Sequence, residues 1–281
     1  MRIQHNIAAL NSYRNLTNNN SAVSKNLEKL SSGYKINRAG DDAAGLAISE
    51  KMRAQITGLE TAQKNANDGI SLVQTAEGAL TEVHSMLNRM VELADQSANG
   101  TYQNETDRTN LQKEVESLTS EIDRISKGTN FNGINLLNGD LATTGSGATS
   151  GLTLQIGDTN DDFNQLTVKI ENMSSSSLGI GNLTISTQAD AAGAISKIKD
   201  AINTVSNTRG DLGATQNRLE HTINNLSVTS ENMTAAESRI RDVDMAKEMM
   251  AYTKNNILVQ ASQAMLAQAN QIPQGVLQLL Q

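Results

Sequence analysis

Residues 48–94 read ISEKMRAQITGLETAQKNANDGISLVQTAEGALTEVHSMLNRMVELA, without a proline. The apolar residues of this stretch recur mostly at alternating steps of three and four, which places them on one face of an α-helix. A helix from Asp42 to about Asn99 would be roughly 85 Å long at a rise of ~1.5 Å per residue. It needs helical partners of similar length to cover its apolar stripe, which consists of Ile48, Met52, Ile56, Leu59, Ala66, Ile70, Val73, Leu80, Val83, Leu87, Met90 and Ala94.

Two further stripes with the same spacing can supply these partners. One runs from Leu111 to Ile125, on a helix predicted over 105–127, and the other runs from Ile195 to Ile240. Three stripes at near-heptad spacing are typical of a long, coiled-coil-like helical bundle. The first two helices can form an antiparallel hairpin through a turn at Asn99 and Gly100, and the third helix must return from the far end of the chain.

Both ends of the chain also carry apolar residues at helical spacing. Segments 1–36 and 243–281 are amphipathic, and we expect them to pair with each other. They can be two more helices of a monomeric bundle, or they can be surfaces that are covered only when neighbouring copies arrive. The low helix propensity of Asn18–Asn20 favours the second interpretation, because such a segment needs a partner to fold.

The connector SSGYKINRAGDD, residues 31–42, separates the first amphipathic segment from the long helix. Gly33 and Gly40 interrupt the helical pattern, and Asp41 or Asp42 is a suitable N-cap for the helix that follows. A Gly/Ser/Thr-rich stretch at 141–151 predicts a second, exposed connector in the middle of the chain.

Short strands are predicted around this second connector. Asn132-Gly133 and Asn138-Gly139 are typical of hairpin turns. Alternating apolar residues predict strands at 152–156, 166–170 and 183–185. The sequence therefore predicts a mainly α fold, with a long antiparallel coiled-coil-like helical bundle, paired terminal helices and a small β-hairpin-rich cap.

Composition excludes several classes of protein. The 281 residues include no Cys, no Trp and only 2% aromatic residues, which favours an elongated helical protein over a globular enzyme. The net charge of −7 argues against a nucleic-acid partner. No stretch is apolar and long enough to span a membrane, so no membrane partner is expected. The N-terminus also lacks a cleavable signal peptide, and these facts alone point to the cytosol.

No motif in the sequence predicts catalysis or metal binding. The three histidines are far apart, and the segment from Asp158 to Asp162 only begins like a calcium loop. Phe163 stands where such a loop needs Gly, and Lys169 stands where it needs Glu. We read this segment as a turn between strands, and we predict no catalytic residue, no metal and no cofactor.

Both ends of the chain resemble bacterial flagellins, in particular Bacillus-type members with short outer regions. MRIQHNIAALNSYRNL at the start and LEKLSSGYKINRAGDDAAGLAISEKMRAQI at 27–56 are similar to the N-terminal signature. ENMTAAESRIRDVDMAKEM at 231–249 and ILVQASQAMLAQANQIPQGVLQLL at 257–280 are similar to the C-terminal signature. The resemblance covers about residues 1–140 and 190–281. It implies a non-enzymatic subunit of the flagellar filament, which serves swimming motility.

The resemblance implies export in an unfolded state through the flagellar type III apparatus, and therefore a secreted, extracellular location. It also implies that the terminal helices fold on assembly and form an inner tube around a central channel. The expected segments are 1–40, an N-terminal inner-tube helix; 41–140, N-terminal rod helices; 141–188, a small β-rich outer region; 189–242, a C-terminal rod helix; and 243–281, a C-terminal inner-tube helix.

The resemblance assigns polymerisation to the apolar residues of the two terminal helices. In the N-terminal helix these residues are Ile3, Ile7, Leu10, Leu16, Leu27 and Leu30. In the C-terminal helix they are Ile257, Leu258, Met265, Ile272, Val276, Leu279 and Leu280.

The resemblance implies partners other than the chain itself. A flagellar export chaperone would bind the C-terminal segment through Ile257, Met265, Ile272, Val276 and Leu277. The filament cap and the junction proteins are further expected partners. Some members of the family carry O-linked glycans, for which Ser and Thr in 143–187 are available.

An innate-immune receptor is another expected partner. Residues 87–94, LNRMVELA, are similar to the segment that Toll-like receptor 5 binds in this family. Arg89, Leu93 and Glu114 fall at matching positions, and together with Glu92 they make up the predicted receptor-binding surface.

Two other functions compete with the filament subunit. A hook–filament junction protein shares the terminal signatures and the helical rod, but it is expected in few copies per cell. A cytosolic coiled-coil scaffold would be a stable, protease-resistant monomer or dimer with ordered ends.

Overall fold

The computed structural model describes residues 6–142 and 151–279, and the side chains at 104, 105 and 272–279 lie outside that description. Five α-helices are present in the described residues: α1 (Ile7–Ser32), α2 (Ala43–Ala98), α3 (Thr109–Gly128), α4 (Gln188–Arg241) and α5 (Met245–Leu279). The strands β1 (Asn130–Phe131) and β2 (Ile134–Asn135) form one antiparallel hairpin, and β3 (Leu152–Gln155) and β4 (Gln165–Val168) form another. The mainly α prediction, with small β-hairpins, is confirmed.

The chain divides into two compact units. The first unit comprises Met1–Ile56 and Glu231–Gln281, and the second unit comprises Thr57–Ser230. Helices α2 and α4 contribute residues to both units.

Polar side chains cap the helices of the first unit. Asn6 begins α1 by accepting a hydrogen bond from the Ala9 N–H (3.1 Å). Gly33 ends α1 in a left-handed conformation with φ of +75°, which favours glycine. Asp42 begins α2 by accepting from the Gly45 N–H at 2.9 Å, as the sequence predicts.

Asp41, the other candidate for this N-cap, holds the connector instead. Its Oδ2 accepts hydrogen bonds from the backbone N–H groups of Arg38 (3.2 Å) and Asn37 (3.3 Å). These two bonds, that from Arg38 being the stronger, hold the pKa of Asp41 below its ordinary value. The two adjacent aspartates therefore have different structural tasks.

The predicted apolar stripe of α2 forms the core of the second unit. Val73, Leu80, Val83, Leu87 and Met90 are fully buried. They pack with residues of α3, such as Val115 and Ile122, and with residues of α4, such as Ile198, Val205 and Leu212. In the first unit the stripe is not covered, since Ile48 is exposed and Met52 and Ile56 are only half-buried.

The β1–β2 hairpin agrees with its turn signal, whereas Asn138-Gly139 connects no pair of strands in the described residues. Asn132 and Gly133 connect β1 to β2 with φ of +49° and +80°, which is the conformation that an Asn-Gly hairpin turn requires. The β3–β4 hairpin packs on the middle of α2 and α4, where Ile156 and Leu166 join Ala66 and Leu219 in a separate apolar cluster. Gly69 makes room for this packing, because a Cβ atom there would lie 2.5 Å from Leu154 Cδ1.

Two secondary-structure predictions need correction. The strand predicted at 183–185 is wrong, although Leu183 and Ile185 are buried. Helix side chains replace the missing strand: the Ile185 N–H donates to Gln112 Oε1 (2.8 Å), and Gln112 Nε2 donates to the Leu183 carbonyl (3.2 Å). The helix predicted from 105 begins later, at Thr109, because a π-helical turn spans Asn104–Arg108.

Candidate polymerisation surface

Helices α1 and α5 pair with each other, and polar side chains contribute hydrogen bonds to the seam between them. Asn6 Nδ2 donates to the Ala269 carbonyl (2.7 Å), and Asn19 Nδ2 donates to Ser262 Oγ (3.1 Å). The order of these contacts is antiparallel, because the start of α1 meets the later part of α5. The asparagines of α1 are therefore useful to the pairing, although they are poor residues for an isolated helix.

Large apolar side chains of the two helices also remain exposed to solvent, and Leu258 and Met265 among them line a groove beside Ser12 and Asn15 of α1. No residue in the 26-residue α1 is buried. Leu10 is 63% exposed and Met265 is 67% exposed, and Ile7, Leu27, Ile257 and Leu258 are also exposed. We call these six side chains the outer face. A soluble monomer seldom leaves such an apolar surface open unless another molecule covers it.

The remaining predicted polymerisation residues have other positions. Leu16 and Leu30 are half-buried, so they belong to the inner side of the pair rather than to the outer face. Ile3 and Leu280 lie outside the described residues, as do the side chains of Ile272, Val276, Leu277 and Leu279.

A cluster around Arg241 joins the helix ends of the first unit. Lys35 N–H donates to the Arg241 carbonyl (2.6 Å), and Val243 N–H donates to the Gly33 carbonyl (3.0 Å). The Arg241 guanidinium lies 4.8 Å from the centre of the Tyr34 ring, and its Nη1 donates to Glu50 Oε1 at 2.8 Å. These bonds set the direction of the chain where it leaves α1 and enters α5.

Sequence reasoning missed the Arg241 cluster. The sequence indicates a helix break at Gly33 and a boundary between segments at 242–243, but no periodic pattern shows that these two places contact each other. The partnership depends on backbone groups that every residue has.

The predicted receptor-binding residues lie on α2 and α3 of the second unit. Arg89 Nη1 lies 2.9 Å from Glu92 Oε2, and Arg89 Nε lies 2.9 Å from Glu114 Oε1. The hydrogen bond to Glu114, and then that to Glu92, raises the pKa of Arg89, which stays charged. Leu93 differs from these exposed residues because it is fully buried in the core.

Comparison with known proteins identifies the family. Residues 3–142 match the profile of the bacterial flagellin N-terminal helical region, and residues 195–280 match that of the bacterial flagellin C-terminal helical region. The chain belongs to the bacterial flagellin family. This flagellin chain is 56% identical to a flagellin of Bacillus subtilis, and the alignment covers 100% of both chains. It is 50% identical to the flagellar filament 33 kDa core protein of Treponema phagedenis, again over 100% of both.

A solved structure assigned to a flagellar hook-associated protein from Vibrio parahaemolyticus shares the fold of this flagellin. The TM-score is 0.58 at 15% identity, and the match covers 72% of this chain and 100% of that chain. At this level of identity the similarity is evidence of a shared fold, and it gives no information about function.

Family membership establishes the general role of this flagellin. It is a structural subunit that polymerises with its own copies into the bacterial flagellar filament, the extracellular structure that serves motility. None of the helices in the described residues combines the length and the apolar character of a membrane-spanning segment.

Proposed function

We propose that the outer face of α1 and α5 is the inner-tube contact between copies in the filament. The observation that carries this proposal is the combination of a helix without any buried side chain and a row of exposed leucine, isoleucine and methionine residues. Each such side chain contributes about 1.5–3 kcal/mol when it is fully removed from water. Neighbouring copies that cover the outer face would gain this energy.

The same arrangement accounts for folding on assembly. Ordering a residue costs about 1–2 kcal/mol in backbone entropy, and an isolated pair of helices without a core recovers little of that cost. The hydrogen bonds of the seam are worth only about 0.5–1.5 kcal/mol each, and its leucines Leu16 and Leu30 are only half-buried. The terminal helices are therefore marginal in the free subunit and stable in the filament, which agrees with export of an unfolded chain.

Amide hydrogen exchange of the monomer and of the filament tests this proposal. We expect amides in 7–32 and 245–270 to exchange at least ~100-fold faster in the monomer, since local opening there costs little free energy. Amides of 72–94 serve as an internal control, because their side chains form a core within one copy, and they should be protected in both states. Equal protection of the terminal helices in monomer and filament would contradict assembly-coupled folding.

The export chaperone is proposed to cover part of the same outer face before assembly. Ile257 and Met265 are exposed in the free subunit, as a chaperone that binds apolar side chains would require. Because these side chains would also be covered in the filament, chaperone binding and polymerisation exclude each other. The cap and junction proteins are proposed to meet the same helices at the two ends of the filament.

For Toll-like receptor 5 we propose a docking surface centred on the ion-pair cluster of Arg89, Glu92 and Glu114. The three side chains are exposed on adjacent helices, and their mutual bonds hold Arg89 in one place before a partner arrives. Arginine is a frequent source of binding energy at protein interfaces. The fully buried Leu93 can act on the receptor only through the packing of α2.

Substitution of Arg89→Ala should lower receptor activation by monomeric protein about tenfold or more, measured in a reporter cell line. Arg124→Ala is the matched control, because Arg124 is also an exposed arginine paired with a glutamate, Glu121, at 2.5 Å. The control should activate like the unmodified protein. Equal activation by both variants would remove Arg89 from the proposed surface.

A further inference from the structure

Few large apolar side chains remain exposed on the second unit. Among its described residues they are Ile134, Phe163 and Val228, which are 37%, 77% and 58% exposed. Phe163 is the most exposed large apolar side chain described anywhere in the chain. An aromatic ring held this far into water loses the favourable burial that phenylalanine usually gains, so its position calls for a partner.

The loop that carries Phe163 is firmly built. We call residues 157–164, between β3 and β4, the knob loop. Ile156 N–H donates to the Asn164 carbonyl (2.8 Å), Asn164 Nδ2 donates to Thr159 Oγ1 (2.5 Å), and Gln155 Nε2 donates to the Thr159 carbonyl (2.6 Å). Gly157 is required there, because a Cβ atom would overlap the Asn164 side chain at 2.1 Å.

The knob loop is also anchored to the helix beneath it. Asp158 lies so close to α2 that a Cβ atom on Gly58 would be 3.0 Å from the Asp158 Cβ. Asn65 Nδ2 donates to the Gln155 carbonyl (3.0 Å) at the base of the loop. Phe163 is therefore presented on a fixed support, and the exposed aspartates Asp158, Asp161 and Asp162 precede it in the same loop.

A shallow hollow lies on α4 in the same unit. It is an open depression on the surface of this one helix and is lined by Ala214, Asn217, Arg218, His221, Thr222 and Asn225. We call it the α4 hollow. Val228 follows His221 by seven residues, so the exposed valine continues the same stripe of the helix.

The geometry points to a contact between copies in which Phe163 of one subunit packs on the α4 hollow of a neighbouring subunit. The two surfaces are complementary: an exposed apolar ring with three exposed aspartates in the same loop on one side, and Arg218 and His221 with an adjacent exposed valine on the other. Among the described residues neither Arg218 nor His221 forms an ion pair within its own chain. The contact is independent of the outer face, which belongs to the first unit.

The symmetry of this contact suits a filament. The knob loop and the α4 hollow are different patches, so the contact is heterologous. Heterologous contacts that do not close into a ring generate open helical assemblies. Each copy would offer its hollow to one neighbour and its knob to another, which would link subunits through their second units.

Cross-linking in assembled filaments tests the contact directly, because the natural chain has no cysteine. The double variant Phe163→Cys, His221→Cys is polymerised on filament seeds and treated with a short bis-maleimide. We expect a ladder of covalent oligomers longer than dimers on a denaturing gel. Unpolymerised protein and each single variant should give no such ladder.

The matched control moves the second cysteine out of the hollow. Phe163→Cys combined with Asn203→Cys places the thiol on the same helix, eighteen residues before His221, at an exposed position. This pair should give no ladder. Filaments of the hollow pair without a ladder, or equal ladders from both pairs, would overturn the knob-and-hollow contact and would leave the filament role of the chain intact.

A second measurement covers the case in which the cysteine variants fail to assemble. Phe163→Ala should raise the monomer concentration in equilibrium with filaments about tenfold or more, while thermal unfolding of the monomer stays unchanged because the ring is exposed. Ile134→Ala, at another exposed apolar position of the second unit, should change neither quantity. An unchanged equilibrium concentration for Phe163→Ala would exclude the contact.

Discussion

Replacement of Leu10 by aspartate is expected to abolish filament formation. Leu10 is 63% exposed on the outer face, so the variant monomer loses little and should keep its thermal unfolding profile. In the filament, by contrast, the carboxylate would be placed among apolar side chains without a partner. Such burial costs at least several kcal/mol, which corresponds to a rise of ~1000-fold or more in the monomer concentration needed for growth.

Sedimentation of filaments grown from seeds, followed by electron microscopy of the pellet, measures this effect. Leu10→Met is the control, because methionine keeps an apolar side chain of similar volume and should support growth. Normal filaments from the Leu10→Asp variant would show that α1 does not contact neighbouring copies through its outer face.

Leu87→Ala is expected to have the opposite profile, with a large loss of monomer stability. Leu87 is fully buried among the core residues that α2, α3 and α4 share in the second unit. Removal of its isobutyl group loses transfer free energy and leaves a cavity, at a cost of about 3–5 kcal/mol. This loss is a large fraction of the 5–15 kcal/mol that typically stabilise a domain.

Urea denaturation of the monomer, followed by circular dichroism, measures the change in the free energy of unfolding. Leu10→Ala is the matched control, because it removes the same atoms from an exposed position and should change monomer stability by less than ~0.5 kcal/mol. If Leu87→Ala cost under ~1 kcal/mol, the described core could not be what holds the second unit together. The Leu87 variant therefore tests the folding of the single subunit, and the Leu10 variants test the assembly of subunits into filaments.

Local signals explain why the helices were predictable. The alternating steps of three and four in the α2 stripe indicate which face of the helix is covered. The structure buries that stripe from Leu59 onward, with Ile70 half-buried. Asp42 caps its helix through a bond that spans three residues, and Asn132-Gly133 makes its turn through its own backbone angles. These features depend on neighbours in the sequence, so the sequence was sufficient to find them.

The predicted strand at 183–185 failed because its burial has another cause. Alternating apolar residues indicate one buried side of an extended segment, but they do not identify its hydrogen-bonding partner. In this chain Gln112 bonds both Leu183 and Ile185, and Ser97 Oγ donates to the Ile185 carbonyl. Helix side chains distant in the sequence therefore satisfy the backbone, and no second strand is needed.

For the candidate sites, too, the sequence predicted some properties of the residues and only the structure decided others. Resemblance at both ends pointed to polymerisation residues, and apolar periodicity placed them on helices. Whether each residue faces its partner helix or solvent depends on the rotation of α1 against α5, which no single helix determines. The structure places Leu16 on the inner side and Leu10 on the outer face. It also buries Leu93 beside the exposed Arg89, a difference that adjacent positions on one helix cannot reveal.

By itself the sequence determined the helices, their caps, the Asn-Gly hairpin turn and the membership in a family of filament subunits. These follow from spacing along the chain and from local backbone preferences, which act over a few residues. Only the tertiary structure decided which apolar residues stay exposed, how Arg241 joins the helix ends, and that the knob loop presents Phe163 to solvent. The physical reason is that burial and hydrogen-bond partnership are properties of residues far apart in the chain, and they exist only after the helices have packed.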